Sequence, residues 1–315
     1  MVVDDAMPNL RAVAVLLLIG CASSPPAIPS QVQRVPEPLT IVPLGRAQQH
    51  FHTLPVRING EVPTEAILDT GIGLALISRP LCERIGCEVN GEFTGQRMSG
   101  QAVTFPLTTL ARLEIGSVAR ENVVAGVIDI EGFFPEPQIE AFVGLPFFER
   151  IPFTIDGPRG TLTLESDSTL TEREAVGQAF PIRLDRHGPA LDVFVRMIIG
   201  PGEHAASAEM LMDTGSPGLT LHARYAQTLG IDLEDESIRR REGQDETGHT
   251  YARFFTTLDA PIGFVDAPTL HRTGLRTMFQ EIIHDGLVGN EFLSSFVITY
   301  DLPRERVIVM DPNHG

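Results

Sequence analysis

Apolar residues along this chain fall into short β-branched and aliphatic runs punctuated by Gly, Pro, Asp, Asn and Ser, a pattern that predicts mostly short strands joined by turns. Two of these runs share a design: "AILDTGIGLALI" over residues 66–77 and "MLMDTGSPGLTL" over residues 210–221. In each, three apolar residues lead into Asp-Thr-Gly and a second apolar run follows, so a strand should deliver Asp69 or Asp213 into a tight turn. Thr70 and Thr214 bring a hydroxyl able to cross-link backbone, and Gly71 and Gly215 let another chain segment approach closely. One such turn means little, because Asp and Gly are ordinary turn residues.

The pair gains meaning from the rest of the chain, which matches itself. Moving the sequence along itself by 144 positions lays "ISRPLCERIGCEV" on "LHARYAQTLGIDL", and in both copies a short amphipathic helical pattern stops at a glycine, Gly86 or Gly230. A shift of 145 lays "FVGLPFFERIPFTIDGPRGTLTL" on "LVGNEFLSSFVITYDLPRERVIV", pairing Gly144 with Gly289. Each reads as a strand running into Gly, one helical turn and a hairpin. A shift of 148 pairs "GQRMSGQ" with "GQDETGH", two hairpin tips bounded by Gly95 and Gly100 and by Gly243 and Gly248. The expected organisation is therefore an all-β chain of two lobes, residues 39–165 and 179–312, joined by the polar segment 166–178 and related by a pseudo-twofold axis.

Composition narrows the partners. With 43% hydrophobic and 21% charged residues the chain reads as globular, and a formal net charge of -17 argues against nucleic acid as a partner. Residues 1–21 are different: the apolar run after Arg11 is too short for an ordinary membrane span and has the length of a signal-peptide core. It ends in "LIGC", which resembles the lipobox of bacterial lipoproteins; the resemblance implies lipidation at Cys21. Asp4 and Asp5 fit such a signal poorly, and translation from Met7 would remove them. Residues 22–38 have the Pro and Ser content of an extended tether. The resemblance implies an exported chain anchored through Cys21 to the cell envelope, sorted to the outer membrane and facing the periplasm if the cell is Gram-negative.

Two cysteines remain beyond that segment. An oxidising compartment permits a Cys82–Cys87 disulfide, but they flank a helix end and their counterparts are Ala226 and Ile231, so two small core residues is the plainer reading. His50 and His52 alternate along a predicted strand without a third ligand, which suits solvated histidines better than a metal site.

A twofold axis near both turns would bring Asp69 and Asp213 together. Carboxyls about 3 Å apart cannot both ionise cheaply, so the pair would share a proton, one member serving as general base and the other as general acid. The repeated apolar-apolar-DTG strands, "FVG" and "LVG", and the Gly-tipped hairpins resemble the aspartic peptidases of the pepsin and retropepsin group, with compact retropepsin-like β-barrel lobes fused in tandem and a cleft between them. The resemblance implies a catalytic dyad of Asp69 and Asp213, Thr70 and Thr214 exchanging hydrogen bonds beneath it, and Gly144 and Gly289 bracing the loops. It also implies flaps around Gly95, Gly100, Gly243 and Gly248, a polypeptide substrate bound as a strand, no metal or other cofactor, and a monomer whose lobes pair within the chain. A noncatalytic peptide-binding or scaffold protein of the same fold is the alternative. Ser216 stands where the first copy has Ile72, so Asp213 has a hydroxyl at hand and is expected to be the member held ionised.

Overall fold

The computed structural model describes residues 37–60, 63–130, 139–202, 205–244 and 249–312. The expected signal segment with Cys21, all of the tether except residues 37 and 38, and Gly248 lie outside them.

Three sheets organise the described residues. An eight-stranded sheet is formed by strands from Gly45–Ala47 to Ile139–Val143, and a ten-stranded sheet by strands from Arg183–His187 to Gly286–Val288. The third, of six strands, is shared: Thr40–Pro43, Thr161–Leu164 and Phe153–Asp156 meet Val297–Asp301, Arg306–Met310 and Gln178–Pro181 in that order. At its centre Phe153–Asp156 runs antiparallel to Val297–Asp301 with Thr154 opposite Thr299, their hydroxyls 2.7 Å apart. These threonines are 145 positions apart, the offset of the self-match, so a local twofold passes between them. Beside them the Phe153 ring stacks on Tyr300, centroids 4.7 Å apart.

The same weave is made once in each lobe. Thr64–Leu68 runs parallel to Ile139–Val143, which is antiparallel to Ala75–Ser78; Ala206–Met212 runs parallel to Gly286–Val288, which is antiparallel to Leu219–His222. The strands entering and leaving each DTG turn are thus tied to one shared partner. Ala75–Ser78 is buried throughout, as its unbroken apolar run requires of a central strand.

Ser78 caps the helix Arg79–Arg84 by accepting the Leu81 amide at 3.1 Å, and Gly86 ends it with φ +65°. That reversal brings the Cys87 N–H to the Cys82 carbonyl at 2.9 Å, and the two cysteines form a disulfide with Cα atoms 5.1 Å apart. The reading of two unlinked core cysteines is corrected accordingly. In the second lobe the Ile231 amide donates to the Ala226 carbonyl, also at 2.9 Å, so the turn that sets the geometry belongs to the repeat and only the thiols are special to one copy. The polar joining segment folds as a helix, Asp167–Val176, closed by a capping box between Ser166 and Thr169. Its Arg173 reaches the buried Glu165 carboxylate at 2.9 Å and fastens the helix to the shared sheet. Among the described residues no helix is long and apolar enough to cross a membrane.

Candidate active site

Each Asp leaves its strand still held by the sheet. The Asp69 amide donates to the Val143 carbonyl at 3.0 Å and the Asp213 amide to the Val288 carbonyl at 2.9 Å. Across the axis the two turns are cross-linked reciprocally. The Thr70 amide donates to Thr214 Oγ1 and the Thr214 amide to Thr70 Oγ1, both at 3.0 Å. Each hydroxyl then donates to the opposite strand, Thr70 to the Met212 carbonyl at 2.6 Å and Thr214 to the Leu68 carbonyl at 2.8 Å. Both threonines are only 1% exposed, so no water competes for these bonds.

The glycines explain how the turns come so close. A Cβ on Gly71 would fall on the Asp213 carboxyl, and one on Gly215 would fall on the Asp69 carboxyl. Gly144 and Gly289 sit under the loops: a Cβ on Gly144 would lie 2.8 Å from the Leu74 carbonyl oxygen, and one on Gly289 would strike the backbone of Ser216 and Gly218. The structure therefore brings Asp69, Thr70, Gly71, Gly144, Asp213, Thr214, Gly215 and Gly289 into one cluster on the axis.

The two carboxyls are not equivalent. Burial raises the pKa of both. Asp69 is pulled back down by the amides of Gly71, Ile72 and Gly215 and by its hydrogen bond with Asp213, the Gly71 amide donating to Oδ1 at 2.9 Å. Asp213 has one amide, that of Gly215 at 2.8 Å, and the negative charges of Asp69 and Asp192 push it further up. The shared proton accordingly sits on Asp213 and the charge on Asp69. This reverses the expectation drawn from Ser216, whose hydroxyl turns to the Gly218 carbonyl at 3.4 Å.

Above the pair lies a cleft of about 840 Å³. Its roof is the hairpin of Val89–Gln96 and Ala102–Ile115, with Gly95 on the cleft wall and Gly100 at the tip, where φ is +83° and its amide donates to the Arg97 carbonyl at 2.8 Å. The tip is seated on the other lobe. Met98 packs against Phe194, Leu211, Ile282 and Leu287, and its carbonyl accepts the Ile283 amide at 3.0 Å. The second hairpin, Arg239–Gln244 with Thr250–Leu258, stands at the edge of the ten-stranded sheet, and Gly243 does not line the cleft. Of the two flaps expected, the described residues form one over the cleft, the tip of the second hairpin with Gly248 lying outside them. The arginines of that second hairpin lie over its own rings, Arg239 on Phe255 at 4.4 Å and Arg240 on Phe254 at 5.3 Å, which gives their charge a partner within the hairpin.

Four further residues shape the site. Asn290 Nδ2 donates to the Thr214 carbonyl at 2.6 Å and to the His50 carbonyl at 2.9 Å. Ser294 Oγ donates to Asn290 Oδ1 at 3.3 Å and pairs with His52 Nε2 at 3.0 Å, so a polar chain runs from one lobe to the DTG loop of the other. His52 is fully buried, and burial, with Arg46 adding repulsion, pushes its pKa down to about 4. A solvated strand histidine is therefore the wrong reading of His52: its face is covered by the opposite lobe. The fourth is Asp192, on the cleft wall beside Gly73. Asn290 stands where the first copy has Leu145, and this polar-for-apolar exchange was the one signal in the sequence that marked it. No group of three metal-ligating side chains occurs among the described residues.

Residues 54–147, which span the first DTG turn and "FVG", match a family described as aspartyl protease. No curated protein matches the chain at a significant level. Among solved structures, basic 7S globulin from soybean is similar with a TM-score of 0.54 at 11% identity, over 87% of this chain and 96% of that one. Conglutin gamma, a basic 7S globulin from lupine seeds, gives 0.52 at 10% identity over 87% and 95%, and a protein named edgp gives 0.51 at 12% over 85% and 94%. Likeness at such identity speaks for the fold alone. The chain thus has the two-lobed, all-β acid-protease fold, with an aspartyl protease family match across its first DTG turn.

Proposed function

We propose that this protein is an aspartic endopeptidase that hydrolyses peptide bonds through a water activated between Asp69 and Asp213. The observation that carries the reading is the reciprocal threonine cross-link, which holds two buried carboxyls back to back with one proton between them. Ionised Asp69 takes a proton from the water as its oxygen attacks the peptide carbonyl carbon. Protonated Asp213 gives its proton to the carbonyl oxygen, so a neutral tetrahedral diol forms. Collapse returns a hydroxyl proton to Asp213, the proton on Asp69 passes to the departing nitrogen, and the C–N bond breaks to give acid and amine. The expected substrate is a polypeptide in extended conformation under the single flap, with no metal or other cofactor, on a monomer whose lobes pair within the chain. Export and anchoring through Cys21 to the envelope belong to the same reading and rest on the lipobox-like "LIGC".

The test is cleavage of an unbiased peptide library by the wild type, Asp69→Asn and Asp213→Asn, with circular dichroism reporting the fold. Each single variant should lose turnover and remain folded, and pepstatin should block the wild type; retained turnover in either variant refutes a shared dyad. A second reading has specific support: the flap is latched shut by Met98, and the similar solved structures include two named as basic 7S globulins. A noncatalytic peptide-binding or scaffold protein would bind peptides and release no products at any pH.

A further inference from the structure

The cleft holds a third carboxylate that the dyad chemistry does not use. Asp192 lies on the strand Ala190–Ile199 and lines the cavity together with Ile72, Gly73, Phe93 and Ala190. Its Oδ1 would be 3.4 Å from a Cβ on Gly73, four residues beyond Asp69, so it faces the first DTG turn from the other lobe. Among the described residues no hydrogen-bond or ion-pair partner is found for its side chain, although much of it is withdrawn from water. The neighbouring charges are committed elsewhere: His187 pairs with Asp185 at 3.2 Å, and Arg183 is held by Asp185 and Glu209. Arg97, which lines the cleft from the flap, has an interaction of its own.

A carboxylate in this position is costly unless a cation reaches it. On one side the wall is apolar, with Ile72, Phe93 and Ala190 forming a surface suited to a run of methylenes, while His187 lines the same cleft. Apolar stem and cationic tip are the two parts of a Lys or Arg side chain, which buries its stem while its head keeps a polar partner. We propose that Asp192 makes the cleft select a basic residue of the bound peptide, taking the Lys or Arg head against its carboxylate. This rests on the reading that peptide occupies the cleft, and it adds a preference that two carboxyls of the dyad do not supply.

The selection depends on pH. Burial raises Asp192 to about 6, with Asp69 and Asp185 adding repulsion against His187 and Arg183, which oppose the rise. Above that value an arriving cation meets a carboxylate; well below it the acid is neutral and the preference fades. The experiment uses statine-centred heptapeptides in which each valine in turn is replaced by Lys or Glu. Binding to the wild type and to Asp192→Asn is read by calorimetry at pH 7.5 and pH 4, with turnover of the peptide library followed in parallel and melting curves confirming the fold. At one position Lys should bind roughly tenfold or more tighter than Glu at pH 7.5, as a charge-assisted bond implies. The margin should collapse at pH 4 and in Asp192→Asn, while the all-valine parent is unaffected. Lys preference without turnover keeps this inference and refutes the peptidase; turnover with a Lys preference absent, or unchanged in Asp192→Asn, refutes this inference alone. If no peptide binds and none is cleaved, both fall.

Discussion

Replacing Thr214 by Val tests the cross-link on which the site depends. The hydroxyl donates to the Leu68 carbonyl at 2.8 Å and accepts the Thr70 amide at 3.0 Å, in surroundings 1% exposed. Valine fills nearly the same volume, so the cavity contribution is small. What it leaves is a buried N–H and a buried C=O without partners, at roughly 1–3 kcal/mol each, or about 2–6 kcal/mol together. Against a typical total of about 5–15 kcal/mol this is a large fraction, and urea unfolding followed by fluorescence or circular dichroism resolves it easily. Thr214→Ser keeps the hydroxyl and should stay within about 1 kcal/mol of wild type. Thr70→Val should cost a similar amount, and the double variant should deviate from additivity by at least about 0.5 kcal/mol because the two side chains share one bonding circuit. If Val costs less than about 0.5 kcal/mol, or Ser costs as much as Val, the hydroxyls do not hold the turns together and the geometric argument for the dyad fails.

Three other outcomes are expected. The dyad carboxyls have folded pKa values above their unfolded ones, so their contribution to stability is full at low pH and is lost as pH rises through the folded values; Asp213→Asn should therefore be more stable than wild type at pH 8, by on the order of 1–3 kcal/mol, with the gain vanishing near pH 3 in parallel unfolding curves. His52 has the opposite sign: with its folded value near 4, stability present above about pH 6.5 is lost as pH falls toward 4, and His52→Gln should remove up to about 3 kcal/mol of that acid sensitivity, read from unfolding midpoints across the range. The Cys82–Cys87 bond closes only a short loop, so Cys82→Ser with Cys87→Ser should lower stability by about 2 kcal/mol and leave peptide cleavage unchanged.

What was legible in the sequence was whatever the two copies share. The DTG strands, the glycines that permit close approach and the threonine pair all follow from laying Asp69 on Asp213, because symmetry tells which distant residues must meet. The remainder lies where the copies differ. Strand registers lay His52 on Val193 and Asp192 on Phe51, and the self-match lays Asn290 on Leu145, so each of these polar residues has an apolar counterpart and no internal template for its role. His52 alternates like a surface residue and is covered only because Ser294 arrives from the other lobe. Ser216 misled for a related reason: proximity in sequence favoured a bond to Asp213, whereas the backbone turns its hydroxyl toward Gly218, and amide donors decide which carboxyl keeps the charge. The seat of the first flap is likewise tertiary, since Phe194, Leu211, Ile282 and Leu287 under Met98 all come from the other lobe.

The shared six-stranded sheet bears on how such a chain arises. At its midline Phe153–Asp156 pairs with its own counterpart Val297–Asp301, around a threonine facing a threonine. A surface that recognises its own repeat is also able to recognise a second copy of itself, so one lobe released from the other would carry an adhesive edge suited to self-association. The helix Asp167–Val176 makes that encounter obligatory by keeping the halves at a local concentration on the order of millimolar, whatever the dilution outside. Once both halves are always present in one molecule, they are free to diverge: one retains the lid, the other acquires the proton and the third carboxylate, and a symmetric association becomes a directional groove.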